Sequence, residues 1–357
     1  MTENSQPSTH TKPSPEEILR ARAENPKMRE RDFAQLLNIS EADYVAAQCG
    51  DGVIRLRADV DALLSGIEAV GEVMALTRNE SAVHEKIGVY ENIHRGEHAA
   101  LTLGKDIDLR IFPKVWAHGF AVEKRDGEDV RRSLQFFDKS GEAVHKIHLR
   151  PASDLNAYFA LVESMRSDDQ SRSIETVAYG AKEYANVEEL NRDDFRSRWS
   201  QMTDVHQFVG ILKDFKLNRH QAVKVVGEDY AWELGTEAVA EMMGKAAESG
   251  QPIMCFVGNR GCIQIHSGPI HELKPMGPWL NVMDPTFHLH LRTDHIHEVW
   301  GVRKPTKDGH VTSLEAYDVN GELIIQFFGQ RHEGEAERTD WRTLIESLPR
   351  VAQSTAA

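Results

Sequence analysis

Apolar residues recur along this chain in two rhythms. Short stretches such as "VMALTRN" (73–79), "HAALTLG" (98–104), "DLRIF" (108–112), "VWAHGFAVE" (115–123), "SLQFFD" (133–138) and "AVHKIHL" (143–149) alternate or run apolar, with turn residues between them. A period of two marks strands with one buried face. Lys139-Ser140-Gly141 and Val319-Asn320-Gly321 each separate two such stretches and predict hairpin turns. Ahead of the strands the pattern is helical. Ser14-Pro15-Glu16-Glu17 predicts a capping box with proline at the first helical position, and Ser40 predicts a second cap. Further along, "DVHQFVGILKDF" predicts a helix capped by Asp204 with Gln207 three residues later, and Asn218 predicts a cap for "RHQAVKVV".

This order of elements occurs twice. "VMALTRNESAVHEKIG" (73–88) aligns with "IMCFVGNRGCIQIHSG" (253–268), placing Met74 on Met254, Asn79 on Asn259 and Gly88 on Gly268. Without a gap, Leu109 then falls on Leu289 and Lys124 on Lys304. "SLQFFDKSGEAV" (133–144) falls on "SLEAYDVNGELI" (313–324), and "ALVESM" (160–165) meets "TLIESL" (343–348) after a short slip. An offset of about 180 held over some seventy residues is a tandem duplication. The expected organisation is a disordered tail over 1–14, an N-terminal repeat over 15–165, a connection over 166–192, a C-terminal repeat over 193–350 and a tail over 351–357. Each repeat reads as helices followed by an antiparallel sheet, so the fold class is α+β with two large antiparallel sheets and flanking helices.

Composition narrows the function. The 357 residues suffice for two ordinary domains or one large one, and 40% hydrophobic with 27% charged residues is a soluble globular composition. A net charge of −14 argues against nucleic acid or an anionic membrane as partner through bulk electrostatics. Three cysteines, Cys49, Cys255 and Cys262, form no CxxC pair and suit a reducing cytoplasm. The polar start "MTENSQPSTHTKPSP" has no signal-peptide pattern, and no apolar run is long enough to span a bilayer, so the expectation is a cytoplasmic protein that is not membrane-embedded.

Candidate chemistry begins with "FHLHLRTDHIHEVWG" (287–301), which holds His288, His290, His295 and His297. Residues i and i+2 share a strand face, so the string reads either as a metal site, which would suit a metal-dependent hydrolase, or as two strands carrying histidine. Its counterpart "DLRIFPKVWA" (108–117) has no histidine, and Arg110 aligns with His290. His206 aligns with Met28 and sits near a helix start, where free N–H groups disfavour imidazolium. A neutral imidazole there suits a metal ligand, and equally an ordinary surface or core histidine. Arg219 opens the next helix where the first copy has Glu41, and Lys304 and Arg331 lie in later strands; these cations either hold carboxylates or are solvated.

Together "FVGNRGCIQIHSGP", "LHLRTDHI", "EAYDVNGELIIQFFGQRHEGE" and "DVHQFVGILKDFKLNRHQA" resemble the HemS/ChuS family, the cytoplasmic haem-utilisation (haemin-degrading) proteins of Gram-negative bacteria, over roughly residues 25–350. The resemblance implies two stacked sheets with flanking helices and one haem b in a cleft between the halves. It implies His206 as the iron ligand, Arg110 as a distal arginine ordering a water above the iron with Phe112 beside it, and Arg219, Lys304, Gln326 and Arg331 around the propionates. Phe328 stands where some relatives carry a tyrosine and supplies no hydroxyl. His84 falls where relatives have been assigned a second haem contact, which makes it a catalytic or secondary-ligand candidate; otherwise it is a strand-end surface residue. Two functions follow from the resemblance. One is delivery of haem from an inner-membrane importer to a downstream acceptor or oxygenase. The other is opening of the porphyrin with Arg110 and His84 as catalytic candidates, electrons coming from a separate donor because the chain has no flavin or nicotinamide fingerprint.

Overall fold

A computed structural model describes residues 12–331 and 334–351, so the expected tails lie almost wholly outside the described residues. The first copy supplies β1 (Val53–Leu56), β2 (Val73–Arg78), β3 (Ala82–Gly88), β4 (Ile93–His94), β5 (Ala100–Leu103), β6 (Asp108–Ile111), β7 (Trp116–Asp126), β8 (Asp129–Asp138) and β9 (Ala143–Leu149). The second supplies β10 (Ala231–Leu234), β11 (Ile253–Gly258), β12 (Cys262–Gly268), β13 (Leu273–Met276), β14 (Trp279–Met283), β15 (Phe287–Arg292), β16 (Glu298–Thr306), β17 (Gly309–Tyr317) and β18 (Leu323–Gly329). All pairings between them are antiparallel, in two sheets of nine strands. The fold class is the expected one.

The distribution of strands between the sheets is not what the repeat suggests. The first sheet runs β1-β7-β8-β9-β2-β3-β15-β14-β13 and the second β10-β16-β17-β18-β11-β12-β6-β5-β4. Each copy therefore lends a three-stranded meander to the other copy's sheet. The joints are β15 on β3, with His290 opposite Val83, and β6 on β12, with Arg110 opposite Ile263. Alternation of apolar and polar residues sets which face a strand buries; it does not name the neighbouring strand.

The sheets are pinned at their centre by the two aligned asparagines. Asn79, in the β2–β3 turn, donates through Nδ2 to Gly258 O at 3.2 Å and Ile324 O at 2.7 Å. Asn259, in the β11–β12 turn, donates to Arg78 O at 2.9 Å and Val144 O at 2.8 Å. The four acceptors are themselves repeat counterparts, so the contact is reciprocal. Apolar side chains of the inner faces fill the rest. One cluster centres on Val257, Leu289 and Phe327 with the helix Ala238–Ser249, the other on Ala75, Leu109 and Phe136 with the helix Leu155–Met165.

Local signals in the sequence set most element ends. Ser14, Ser40 and Asn218 each cap a helix in a full capping box. In the hairpin turns Gly141 and Gly321 adopt φ of 83° and 74°, and Asp138 and Asp318 bond back to the turn N–H groups. No helix among the described residues is long and apolar enough to cross a membrane.

Candidate functional site

The outer face of the second sheet gathers most of the candidate residues. Register places Glu315, Gln326, Phe256, Ile265 and Asp108 side by side on β17, β18, β11, β12 and β6. Residues two apart share a face, so Lys304, Phe328, Met254, Ile263 and Arg110 lie on it too. Three helices, Arg192–Ser200, Gln207–Phe215 and Arg219–Val225, cover its β16–β17 end by packing Phe195, Trp199, Phe208 and Val223 on Trp300, Val302 and Tyr317. The remaining strip is left half-buried, with Phe328, Met254, Phe256 and Ile263 as its apolar floor. Phe256 and Phe328 meet edge to face at 5.0 Å. From Gln326 to the strand of Arg110 is three strand spacings, roughly 14 Å. The result is a flat apolar ledge with cations at both ends.

His206 stands at the start of one of the covering helices. Helix Gln207–Phe215 begins one residue after it, with His206 itself in the N-cap position and no side-chain cap. Asp204 is therefore not the cap expected from the sequence. Its Oδ1 accepts the His206 backbone N–H and the His206 Nδ1–H, both at 2.7 Å. Gln207 supplies only the reciprocal half of the expected box, its Oε1 accepting the Asp204 N–H at 3.3 Å. The hydrogen bonds from the His206 backbone and ring hold the Asp204 carboxyl below its ordinary range. With Nδ1 donating, the His206 tautomer leaves the Nε2 lone pair free, and the side chain is 90% exposed. Two residues on, Phe208 is buried beneath the Arg219 guanidinium at 4.9 Å and the Lys304 ammonium at 4.8 Å. This fastens the helix to the cationic corner of the ledge.

That corner is organised by a residue the sequence reading did not single out. Glu315 is fully buried, and its Oε1 accepts from Lys304 Nζ at 3.0 Å, Arg219 Nη1 at 3.2 Å, Gln326 Nε2 at 2.9 Å and Ser313 Oγ at 2.9 Å. Tyr317 donates its hydroxyl to Oε2. Burial opposes ionisation, but Lys304 and Arg219 overrule it and hold this carboxyl well below the usual range. Lys304 and Gln326 thus point at Glu315. Arg331 lies just past β18, partly exposed, with Nη1 donating to Glu335 O at 3.4 Å. A lone glutamate in an alternating strand looks solvent-facing in sequence; the available signal was its repeat counterpart, Gln135.

At the far end, Arg110 pairs with Asp108 and donates to Leu109 O at 3.2 Å. Burial raises the Asp108 carboxyl above its ordinary range against the pull of Arg110. Phe112, half-buried, follows β6 and donates its N–H to Gly261 O at 3.0 Å. Arg110 reaches this face because β6 belongs to the second sheet, so residues of both copies meet here.

His84 is elsewhere, and it is not a strand-end surface residue. It is enclosed between the sheets at 0% exposure, tilted on Phe287 at 4.9 Å, and burial first, then His266 and Lys86, keep it far below the ordinary imidazole pKa. The four histidines of 287–301 also disperse. His288 bonds Glu85 at 3.0 Å, His290 bonds Asn281 at 2.6 Å, His295 bonds Ser81 at 3.0 Å, and His297 is exposed. Among the described residues no group of three or more His, Cys, Asp or Glu side chains is arranged to hold a metal ion. The metal-site reading of that segment, and the hydrolase built on it, are set aside because three of its imidazoles have separate partners and the fourth is exposed. Surface hollows beside Lys12 and beside Trp232 contain none of the candidate residues.

The first sheet's corresponding face is built differently. Met28, the counterpart of His206, packs against the core of the N-terminal helices. Glu41 replaces Arg219 and pairs with Arg78 and Lys146, and Lys124 turns outward to Glu30.

Comparison with known proteins agrees with the duplication. The family model for the haemin-degrading HemS/ChuX domain matches residues 38–165 and again 216–348. The hemin transport protein HmuS of Yersinia pestis is 40% identical over 335 residues, 93% of this chain and 96% of its own length. HemS of Yersinia enterocolitica, also described as a hemin transport protein, is 41% identical over 336 residues, with the same coverage. Holo-PhuS, a heme-binding protein from Pseudomonas aeruginosa, superposes with a TM-score of 0.92 at 43% identity, covering 95% of this chain and 100% of its own. ChuS, the heme-degrading enzyme of Escherichia coli O157:H7, gives a TM-score of 0.86 at 38% identity over 93% of this chain and 97% of its own. With both copies matched in order and relatives aligned along nearly their whole length, the chain belongs to the haemin-degrading HemS/ChuX family.

Proposed function

We propose that this protein binds one haem b on the outer face of its second sheet, with His206 as the iron ligand, and serves haem uptake and iron acquisition in the cytoplasm. The observation that carries the reading is the His206–Asp204 pair at the start of a covering helix. An imidazole with Nδ1–H committed to a carboxylate and Nε2 exposed is a prepared axial ligand. The donor set fits the rest of the molecule. Phe256, Phe328, Met254 and Ile263 offer a flat apolar surface to a porphyrin, Arg219 and Arg331 offer charge to its propionates, and Arg110 with Phe112 lies on the side away from the helices. Met28 and Glu41 leave the first face without these groups, which supports one haem per chain.

The primary role proposed is to receive haem after import and hand it to an acceptor. The relatives described as hemin transport proteins support it, as does a ledge that is open to solvent. Arg110 favours a second reading, opening of the ring to release iron with an external electron donor, since a guanidinium on the distal side can donate hydrogen bonds and never ligates; ChuS, described as an E. coli heme oxygenase, is a neighbour with a TM-score of 0.84. Bound haem supplies the redox chemistry, and the chain supplies ligation, orientation and a polar distal group. The deciding experiment is anaerobic haem loading followed by reductant and oxygen with catalase present. A persistent haem spectrum with transfer to an acceptor supports delivery, whereas loss of the Soret band with iron release establishes degradation. Failure of His206→Ala to alter the spectrum of the loaded protein would remove the reading altogether.

A further inference from the structure

We propose that the hollow beside Trp232, on the β10 edge of the second sheet, is a docking groove for an extended segment of another protein. That segment carries a basic residue and, five positions later, an aliphatic one, the spacing of Asp169 and Ile174 in this chain.

The first copy shows what this surface holds. β1 and β10 are corresponding edges of the two sheets, and after the last helix of each copy the chain returns along that edge. Arg57 N–H donates to Met165 O at 2.8 Å and Ser167 N–H to Arg55 O at 3.0 Å; Gly235 N–H donates to Pro349 O at 3.1 Å and Val351 N–H to Glu233 O at 3.2 Å. In the first copy the following residues stay on the surface they have reached. The Gln170 side chain closes the edge, its Oε1 accepting the Arg55 N–H at 3.0 Å and its Nε2 donating to Arg55 O at 2.9 Å. The Arg55 guanidinium holds Asp169 at 2.5 Å and Ser171 Oγ at 2.7 Å. Arg172 donates to Ala47 O at 3.0 Å, and Ile174 is buried in one cluster with Val45, Cys49, Val53 and Phe120.

In the second copy the same positions border a hollow of about 520 Å³, with Ala231, Glu233, Trp300, Arg350 and Val351 on its walls. Gly227 and Ala231 stand where the first copy has Cys49 and Val53, and the smaller side chains widen it. Glu233 faces Trp300 across the ladder as Arg55 faces Phe120, so its N–H points off the sheet edge as the Arg55 N–H points at Gln170. An edge strand with an outward N–H is a template for an added extended chain. Charge then selects the occupant. Glu233 replaces Arg55, and Glu228 adds a second carboxylate where the first copy has Gly50. Lys224 is drawn to Glu298 at 2.8 Å, and the Arg350 guanidinium lies over the Trp232 ring at 5.2 Å. A segment seated like 167–174 therefore needs Lys or Arg in place of Asp169, with the aliphatic side chain of Ile174 kept. Residues 352–357, "AQSTAA", hold neither a basic nor a large apolar side chain, so the sequence after Val351 does not meet this requirement. The occupant is a partner, and the net charge of −14 favours the approach of a basic one.

The test is fluorescence anisotropy of labelled peptides titrated with the full chain. The probes have the sequence of residues 166–175, unchanged, with Asp169→Lys, and with Asp169→Lys/Ile174→Ala. The Asp169→Lys peptide should bind about tenfold tighter than the unchanged one, the scale of a charge-assisted hydrogen bond. Loss of the aliphatic anchor in the third peptide should weaken binding by about tenfold. In Glu233→Arg protein the order of the first two peptides should reverse, and haem titration, which reads residues outside the hollow, confirms that this variant is folded. Absence of binding by the Asp169→Lys peptide, or a preference that survives Glu233→Arg, would overturn the proposal. A chain ending at Val351 completes the comparison. Peptide affinity within about threefold of the full chain supports a partner, whereas a rise of about tenfold would assign the hollow to residues 352–357 and overturn the inference.

Discussion

Asp204 and His206 act as one unit, and the first two predictions concern single side chains. His206→Ala should abolish a histidine-ligated ferric spectrum and weaken haem binding without eliminating it, because ring burial on Phe256 and Phe328 and the carboxylate contacts are separate contributions. Spectroscopic titration checks this, and an unchanged Soret band in a folded variant would refute the ligand assignment. Arg110→Ala should leave loading within about threefold, because a guanidinium that stays protonated never ligates. It should move the pH at which the ferric spectrum changes and slow any ring opening; complete loss of binding would make Arg110 an anchor instead. His206 and Arg110 were legible as breaks in the internal repeat, since each stands opposite an unlike residue, Met28 and His290. Glu315 was not, although Gln135 stands opposite it. A single glutamate in "SLEAYD" has the alternation of a solvent-facing strand residue, and only the three-dimensional convergence of Lys304, Arg219, Gln326 and Tyr317 shows that it is enclosed.

Strands and caps were readable from period and end signals, while their partners were not. The meander β4–β6 carries the same alternation whether it completes its own sheet or the other one, and the swap decides which face Arg110 joins. The helix bearing His206 shows a smaller limit. Asp204 and Gln207 have capping-box spacing, yet the helix starts later because the aspartate bonds the histidine two residues ahead. The asparagine clasp yields a prediction at this scale. Asn79→Ala leaves the carbonyls of Gly258 and Ile324 without their donor and removes the acceptor for the N–H groups of Ser81 and Ala82. It should cost about 2–3 kcal/mol by chemical denaturation, and Asn259→Ala should cost a similar amount because its bonds are the repeat images. A loss below about 0.5 kcal/mol, the usual range of an inconsequential surface change, would show that the clasp does not join the sheets.

For the whole molecule, duplication and fold class were visible in the constant offset, and the asymmetry of the two faces followed only from the packing of Met28, Glu41 and Lys124. Enclosure between the sheets also sets the response to acid. His84, His145 and His266 are buried there; burial keeps His145 and His266 uncharged down to about pH 3 and holds His84 well below its ordinary range as well. The unfolded chain binds these protons near pH 6.5, so it takes up more protons than the fold as pH drops. The contribution of these three histidines should be flat above about pH 7 and should fall by up to about 1.4 kcal/mol per pH unit for each of them as pH falls through 6.5. Carboxylates do not titrate appreciably between pH 6.5 and 5.5, so denaturant midpoints at pH 7.5 and 5.5, compared between native protein and a His145→Gln variant, isolate the effect; equal pH shifts in the two would show that His145 is not enclosed. The reciprocal bonds of Asn79 and Asn259, with three strands exchanged each way, have the geometry of an isologous interface between identical subunits, here within one polypeptide. In a symmetric dimer, every mutation alters both faces together. Joined in one chain, the copies diverge independently, so the same strand position carries glutamine on one face and glutamate on the other. That freedom lets one half of an ancient symmetry specialise in a ligand while the other half is kept as its scaffold.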